Sequence, residues 1–337
     1  MKRIITLGEI MLRLSPPNRD KFLGSPSFQA NYGGGEANVA VALANYGVET
    51  AFITKLPNNE IGDSAIKHLR SFGVNTRSIV RGGDRVGIYF LENGFSLRNS
   101  KVIYDRKDSA ISTALVSDFE IESILKGWDI LHLSGITLGI SNNGFEISKA
   151  FIKKAKELGM EISFDFNYRS KLWSLEEAGK KIKEILEYVD IAFAGHLDFT
   201  NILGIVPKKP LEKVDIIGYY EDLYRKVSSK YNFKYIVSSI RDVRSASNNS
   251  YTGICFDGDK IYRSKTYEVD IIDRVGTGDA YTAGFLCGYA MGKDIDYTLN
   301  VATASSVLKH TISGDVTLMK IDEVEKLFEN DSLDVQR

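Results

Sequence analysis

The chain has 337 residues, a formal net charge of −1 and 43% hydrophobic residues, which excludes a disordered polypeptide and leaves room for one large α/β domain with an appendage, or for two domains. No basic block tracks nucleic-acid phosphates, no run reaches membrane-spanning length, and Glu9 and Arg13 interrupt the opening apolar segment, so neither a nucleic-acid nor a membrane partner is expected. Two cysteines, Cys255 and Cys287, and four scattered histidines form neither a disulfide framework nor a metal motif, so a cytoplasmic protein handling a small molecule is expected.

From about residue 33, short apolar strands alternate with stretches of helical period. "GGGEANVAVALANYG" puts Val39, Ala42, Leu43 and Tyr46 on one stripe and ends at Gly47. "TAFITKL" reads as a strand and "GDSAIKHLRSFG" as a helix, and further strands are predicted over 129–134, 161–167, 190–195 and 234–239. Such βα units imply right-handed crossovers and a Rossmann-like, mostly parallel sheet sandwiched by helices. Residues 11–32 and 79–106 break the rhythm: they are β-like, rich in Gly, Asn and Arg, and read as excursions that pair in a small antiparallel sheet. The expected organisation is therefore a body of residues 1–10, 33–78 and 107–330 with a β lid of 11–32 and 79–106 inserted in it. "FDGDKI" is a hairpin signal inside the body, and the acidic tail after Leu327 reads as a frayed end. Polar residues fall at the predicted strand ends: Ser134, Asp165, Asn167, Arg169, Gly195, Asp198 and Ser239. In a parallel sheet such ends share one ligand cleft.

"DRVGTGDAYTAGF" (273–285) sets Asp279 directly after two glycines, where a loop becomes an apolar helix. Gly276 and Gly278 allow successive N–H groups to converge, and the helix start adds its positive dipole end, so the turn is an anion pocket. That field favours the ionised form of Asp279, which makes the residue a candidate base. An anion pocket beside a base suits phosphoryl transfer. Helix-start aspartates also occur merely to complement the dipole. No P-loop exists, both "GGGEAN" and "GTGDAY" lack the last glycine of a dinucleotide fingerprint, and no H-R-D appears.

These stretches resemble the phosphofructokinase-B, or ribokinase-like, carbohydrate kinase family, with the glycine-rich motif near residue 33 and the C-terminal signature at 273–285 in the family's order. Within it, "IVRGGDRVGIYFLENG", "KVIYDRKDSAI", "LSGITLGIS", "FDFNYRSKLWS" and "LKHTISGDV" are similar to stretches of the 2-keto-3-deoxygluconate kinase subgroup. The resemblance implies a kinase that uses ATP and Mg2+, with Asp279 as base and the backbone of Gly276, Thr277 and Gly278 as anion hole. It implies that Gly34, Gly35 and Asn38 hold substrate hydroxyls and that Tyr89, Tyr104, Arg106 and Arg169 close around a sugar acid. ATP is expected along Asn167, Arg169, Ser239, Arg241, Arg244, Gly276 and Gly278, with Ala304 to Lys309 near the adenine. Where many relatives carry N-x-x-E for the magnesium site, this chain has Gly195-His196-Leu197-Asp198, which leaves Asp198 as the metal-site candidate.

The arginines carry a hint about substrate that is independent of family. Tyr104 and Arg106 project from one face of a β-like run and Arg169 follows a strand end, and guanidinium forks match carboxylates where a neutral ketose offers no charge. The alternative pairs Arg106 with Asp105 or Asp108, and Arg169 with Glu176 or Glu177, at the surface. Tyr89 could equally be packed with its hydroxyl in water, His132 reads as a core residue, His196 and His310 lie in motifs without a demanded role, and Glu36 reads as a helix-start charge. The functional alternatives are a fructokinase or another keto-sugar-acid kinase, and a catalytically silent sugar- or nucleotide-binding regulator. An exposed lid edge invites a homo-oligomer.

Overall fold

The computed structural model describes residues 1–211 and 215–329, and all but two residues of the expected frayed tail lie outside them. Apolar runs and periodic stretches give the strands β1 (Ile4–Leu7), β2 (Met11–Ser15), β3 (Gln29–Gly33), β4 (Thr50–Leu56), β5 (Ile79–Arg81), β6 (Gly87–Glu92) and β7 (Lys101–Asp105), then β8 (Ile130–Ser134), β9 (Glu161–Asp165), β10 (Ile191–Phe193), β11 (Tyr235–Ser245), β12 (Asn248–Phe256) and β13 (Ile261–Asp270). The longer helices are α1 (Gly35–Asn45), α2 (Glu60–Ser71), α3 (Ile121–Leu125), α4 (Gly135–Gly139), α5 (Asn142–Glu157), α6 (Leu175–Lys183), α7 (Ile216–Ser228), α8 (Thr277–Ala290), α9 (Ile295–His310) and α10 (Ile321–Glu329).

Among the described residues a nine-stranded sheet runs β13-β12-β11-β10-β9-β8-β1-β4-β5, and its strands are parallel from β11 through β5. The "FDGDKI" hairpin is the β12–β13 turn, which adds an antiparallel edge. Strand pleating divides the core between the two faces: Ile5 and Leu7 pack with Leu131, Phe151 and Phe164, while Ile4 packs with Leu43, Phe285 and Val301 from α1, α8 and α9. Cys255 and Cys287 are buried free thiols. His132 is also core, its Nδ1 2.9 Å from Ser163 Oγ, and burial lowers its pKa to about 3.

The second sheet runs β3-β2-β6-β7. It is mixed rather than antiparallel as expected, because β2 and β6 come from separate excursions and meet side by side in parallel, with each excursion adding its own antiparallel neighbour. The opening of the second excursion goes elsewhere: β5 continues the large sheet by pairing Thr54 with Ile79. One row across the small sheet reads Asn31, Arg13, Tyr89, Tyr104. No helix among the described residues is long and apolar enough to cross a membrane.

Candidate active site

Two glycine-led helix starts meet at the carboxyl ends of the parallel strands. Helix α1 begins at Gly34, where a β-carbon would overlap the Glu9 carbonyl oxygen, so only glycine lets the chain pass. Helix α8 begins at Gly276, whose φ of 77° is left-handed and whose missing side chain lets the turn press on the Asp315 carbonyl. The Thr277 hydroxyl turns back to the Arg274 carbonyl at 3.0 Å, and the Ala280 amide closes the first helical turn on Gly276 O at 2.8 Å. Around the position of a β-carbon on Gly278 there is open space, so this face of the turn is accessible.

Asn38 ties the two starts together. Its Oδ1 accepts from the Gly34 amide at 3.2 Å, and its Nδ2 donates to Asp279 Oδ2 at 2.7 Å. Gly35 stands over the same point, with Asn167 Nδ2 and Asp279 Oδ1 both 3.8 Å from where its β-carbon would be. The expectation that the helix dipole dominates Asp279 is corrected here. Burial is the larger effect and raises its pKa to about 6, while the Asn38 hydrogen bond and the Arg169 charge pull it back. The carboxylate is still mostly ionised at neutral pH.

Asp165, from the end of β9, and Asp198 lie in the same electrostatic neighbourhood. Burial, reinforced by Asp279 and Asp198, raises Asp165 to about 8 even though Asn167 N donates to it at 3.0 Å. Burial raises Asp198 to about 6 against the Gly195 amide, which donates at 2.8 Å. The charge of Arg169 reaches all three carboxylates. Among the described residues no ion pair holds it, since Glu177 is taken by Lys181, so the surface pairing considered for Arg169 is not made.

Arg106 makes a different pair from those expected. Asp105 bonds Arg85, whereas Arg106 is drawn inward to the buried Glu9, which also accepts from Ser109 Oγ at 2.5 Å. Its Nε is buried without a partner among the described residues, and its guanidinium lies 5.7 Å from the centre of the Tyr104 ring. Tyr89 does not have its hydroxyl in water: it donates to Asp315. Glu36 does lie in the first turn of α1, as expected, but turned into the interior. Buried, it accepts from Ser134 N, Ser134 Oγ and Thr137 Oγ1 at 2.9, 2.7 and 2.6 Å, clamping α1 to β8 and α4.

Asn38 thus joins two glycine-led helix starts at one carboxylate. The family model for the pfkB family carbohydrate kinases matches residues 1–321. The chain belongs to the pfkB family of carbohydrate kinases. The kinase is 30% identical over 336 residues to a 2-dehydro-3-deoxygalactonokinase of Haloferax volcanii, covering 99% of each chain. It is 27% identical to a 2-dehydro-3-deoxygluconokinase of Thermoproteus tenax, covering 94% of this chain and 90% of that one. The crystal structure of a 2-dehydro-3-deoxygluconokinase from Thermotoga maritima superposes with a TM-score of 0.94 at 44% identity, covering 98% of this chain and all of that one. The kinase thus shares the ribokinase-like fold of its structural neighbours.

Not every predicted nucleotide contact of the kinase gathers at this cleft. Ser239 is half-buried next to Tyr251, and the Arg241 charge reaches Tyr220, Tyr251 and His310. Arg244 departs from the expectation, because it is drawn into a two-point pair with Glu268 of the neighbouring β13, at 2.5 and 2.7 Å. Ala304 is fully buried in the core and Lys309 is fully buried with its Nζ 3.0 Å from Ile312 O, so neither side chain is available to an adenine. Helix α9 is buried along most of its length, through small and hydroxyl residues as well as apolar ones, against α8, α10 and the β12–β13 hairpin. His310 gives Nδ1 to the Ser306 carbonyl at 2.7 Å, and His196 packs on Tyr219 and Tyr220. Reasoning from sequence missed Arg13, Asp273 and Asp315 of the kinase, which form a buried ion network below the glycine turn. Asp273 opens the signature stretch itself, and that was the available signal.

Proposed function

We propose that this kinase transfers the γ-phosphoryl group of ATP to the terminal hydroxyl of 2-keto-3-deoxygluconate (2-dehydro-3-deoxygluconate in the other nomenclature), giving 2-keto-3-deoxy-6-phosphogluconate. The observation that carries this reading is the Asn38–Asp279 hydrogen bond, which fixes a carboxylate between the substrate-side glycines and the anion-binding turn. Asp279 takes the proton of the attacking hydroxyl. The new O–P bond forms as the bond to the β,γ-bridging oxygen breaks, ADP leaves, and the backbone of Gly276 to Gly278 faces the moving charge. Tyr104 and Arg169, which no ion pair holds among the described residues, supply the carboxylate recognition that a neutral ketose would leave unanswered, with Arg106 adding the part of its guanidinium that Glu9 leaves free.

Magnesium travels with ATP, holds its phosphates and keeps several waters, so it needs only one or two protein carboxylates. Among the described residues no group of three candidate ligands forms a cage. Asp198, shifted upward by burial, and Asp165, shifted upward by burial and by the charges of Asp279 and Asp198, fit a site whose charge is completed by a cation. Bound there, the ion would neutralise charge on the phosphates.

Replacing Asp279 by Asn is expected to leave folding and ATP binding in place and to lower kcat by about 10²–10⁴. Near-normal turnover rejects the base. A second reading, in which 2-keto-3-deoxygalactonate is preferred, is supported by the relative from Haloferax volcanii. Coupled ADP-release assays with both acids and fructose decide the substrate, and a preference for fructose overturns the arginine argument. The reading also includes pairing of two copies through the small sheet, whose edge strands β3 and β7 are open and whose Leu23, Leu97 and Ile103 are exposed. A monomer by light scattering at micromolar concentration rejects that part.

A further inference from the structure

Directly behind the anion-binding turn lie four buried charges that the transfer step described above does not use. Asp273 accepts from Val275 N at 3.0 Å and Gly314 N at 3.1 Å, so it organises both loops that frame Gly276. Asp315 presses its carbonyl on Gly276 and its carboxylate against Gly33, the last residue of β3. Both carboxylates are within 3% of full burial. Unbalanced, two negative charges at this spot would oppose any phosphate held by the turn, because charge interactions weaken little in a dry interior.

Arg13 pairs with both of them, and a second cation, Lys309, is buried nearby with its Nζ on Ile312 O at 3.0 Å and in no ion pair with either carboxylate among the described residues. Arg13, from β2 of the small sheet, donates from Nη2 to Asp273 Oδ2 at 2.7 Å and from Nη1 to Asp315 Oδ1 at 3.0 Å, with Nε on Ser15 Oγ at 2.8 Å. Burial works against its charge, and Asp273 followed by Asp315 outweigh that and raise its pKa. Lys309 is the last but one residue of α9, fully buried, with its Cε 3.5 Å from the place where Gly276 would carry a β-carbon. A cation at that helix end is also favoured by the dipole. Burial lowers the pKa of Lys309, and Asp273 and Asp315 counter it.

We infer that Lys309, with Arg13, is a positioning residue for phosphoryl transfer: its ammonium balances Asp273 and Asp315 and holds the Gly276 turn so that the N–H groups of the turn face the phosphoryl group without opposing charge. The inference rests on the kinase reading above. It makes the small sheet a support of the anion hole, because Arg13 and Tyr89 reach Asp315 from that sheet.

The test compares wild type, Lys309→Met and the charge-restoring double variant Lys309→Met/Asp315→Asn. Two measurements are made: steady-state kinetics, and calorimetric binding of ADP with and without tetrafluoroaluminate at fixed magnesium. The expected result for Lys309→Met is a kcat lowered about tenfold to a hundredfold, with the KM for the sugar acid unchanged. Affinity for ADP is retained, the extra affinity given by tetrafluoroaluminate is lost, and the double variant recovers part of both losses. Lys309→Met with wild-type kcat overturns the inference. So does a loss in which ADP and ADP–tetrafluoroaluminate binding fall equally, or one that the double variant deepens, since each marks a role in packing alone. Failure of the substrate assignment leaves the tetrafluoroaluminate comparison readable, because that probe does not depend on which sugar the kinase accepts.

Discussion

As the proposed base, Asp279 must be ionised to take a proton and enclosed to exclude water, and the two demands oppose each other. The structure settles them with burial that lifts the carboxyl to about 6 and an Asn38 amide that draws it down. Below about pH 6 the base is protonated, so kcat/KM is expected to fall tenfold per pH unit on that limb. Asn38→Ala removes a bond to the charged form, and the limb should move toward neutral pH. A limb that stays in place would show that Asp279 is not the titrating base. Asp165 makes a second prediction. Its folded pKa, about 8, lies above that of an unfolded carboxyl, so the folded state binds more protons across that interval and stability declines as pH rises from about 4 to about 8. Asp165→Asn should therefore raise Tm at pH 9 by a few degrees, with the gain vanishing near pH 4, as scanning calorimetry at both pH values would read.

At the scale of elements, the turn before α8 separates two glycines that look alike in the sequence. Gly276 carries a left-handed φ and lies against the Asp315 carbonyl, whereas Gly278 lies in the first helical turn with free space beside it. Gly276→Ala is expected to cost about 1–3 kcal/mol through backbone strain, with overlap adding to it, and to remove turnover. Gly278→Ala should leave Tm within about a degree, since alanine suits a helix, while its methyl group obstructs the phosphate and lowers kcat. Chemical denaturation and steady-state assays on the pair separate the roles, and equal loss of stability in both would contradict this distinction. The alternation of strand and helix and the hairpin at "FDGDKI" were legible because they depend on local periodicity and turn chemistry. The parallel meeting of β2 with β6 was not, since it pairs residues 76 positions apart, such as Met11 with Gly87, by register alone.

For the whole molecule, sugar acid and nucleotide are expected to stabilise the fold together, because the cleft draws on both sheets. A ligand at a hundred times its Kd adds about 2.7 kcal/mol, so thermal-shift experiments should show a Tm increase of several degrees with ADP and 2-keto-3-deoxygluconate, and none with fructose at equal concentration. An equal shift with fructose would place recognition in the hydroxyl contacts rather than in Tyr104, Arg106 and Arg169.

The amino-acid sequence by itself determined the order of strands and helices, the two glycine-led helix starts and the carboxylate placed after the second, because each depends on residues within a turn or two of one another. Only the tertiary structure decided which charges face which: Arg13 finds Asp315 across 302 positions, Arg106 finds Glu9 rather than its neighbours, and Lys309 passes from a helix-end lysine to a buried cation beside the Gly276 turn. The reason is electrostatic. The protonation and partners of a charged side chain are set by the water it loses and the charges that folding brings through space, and neither is written in its local sequence.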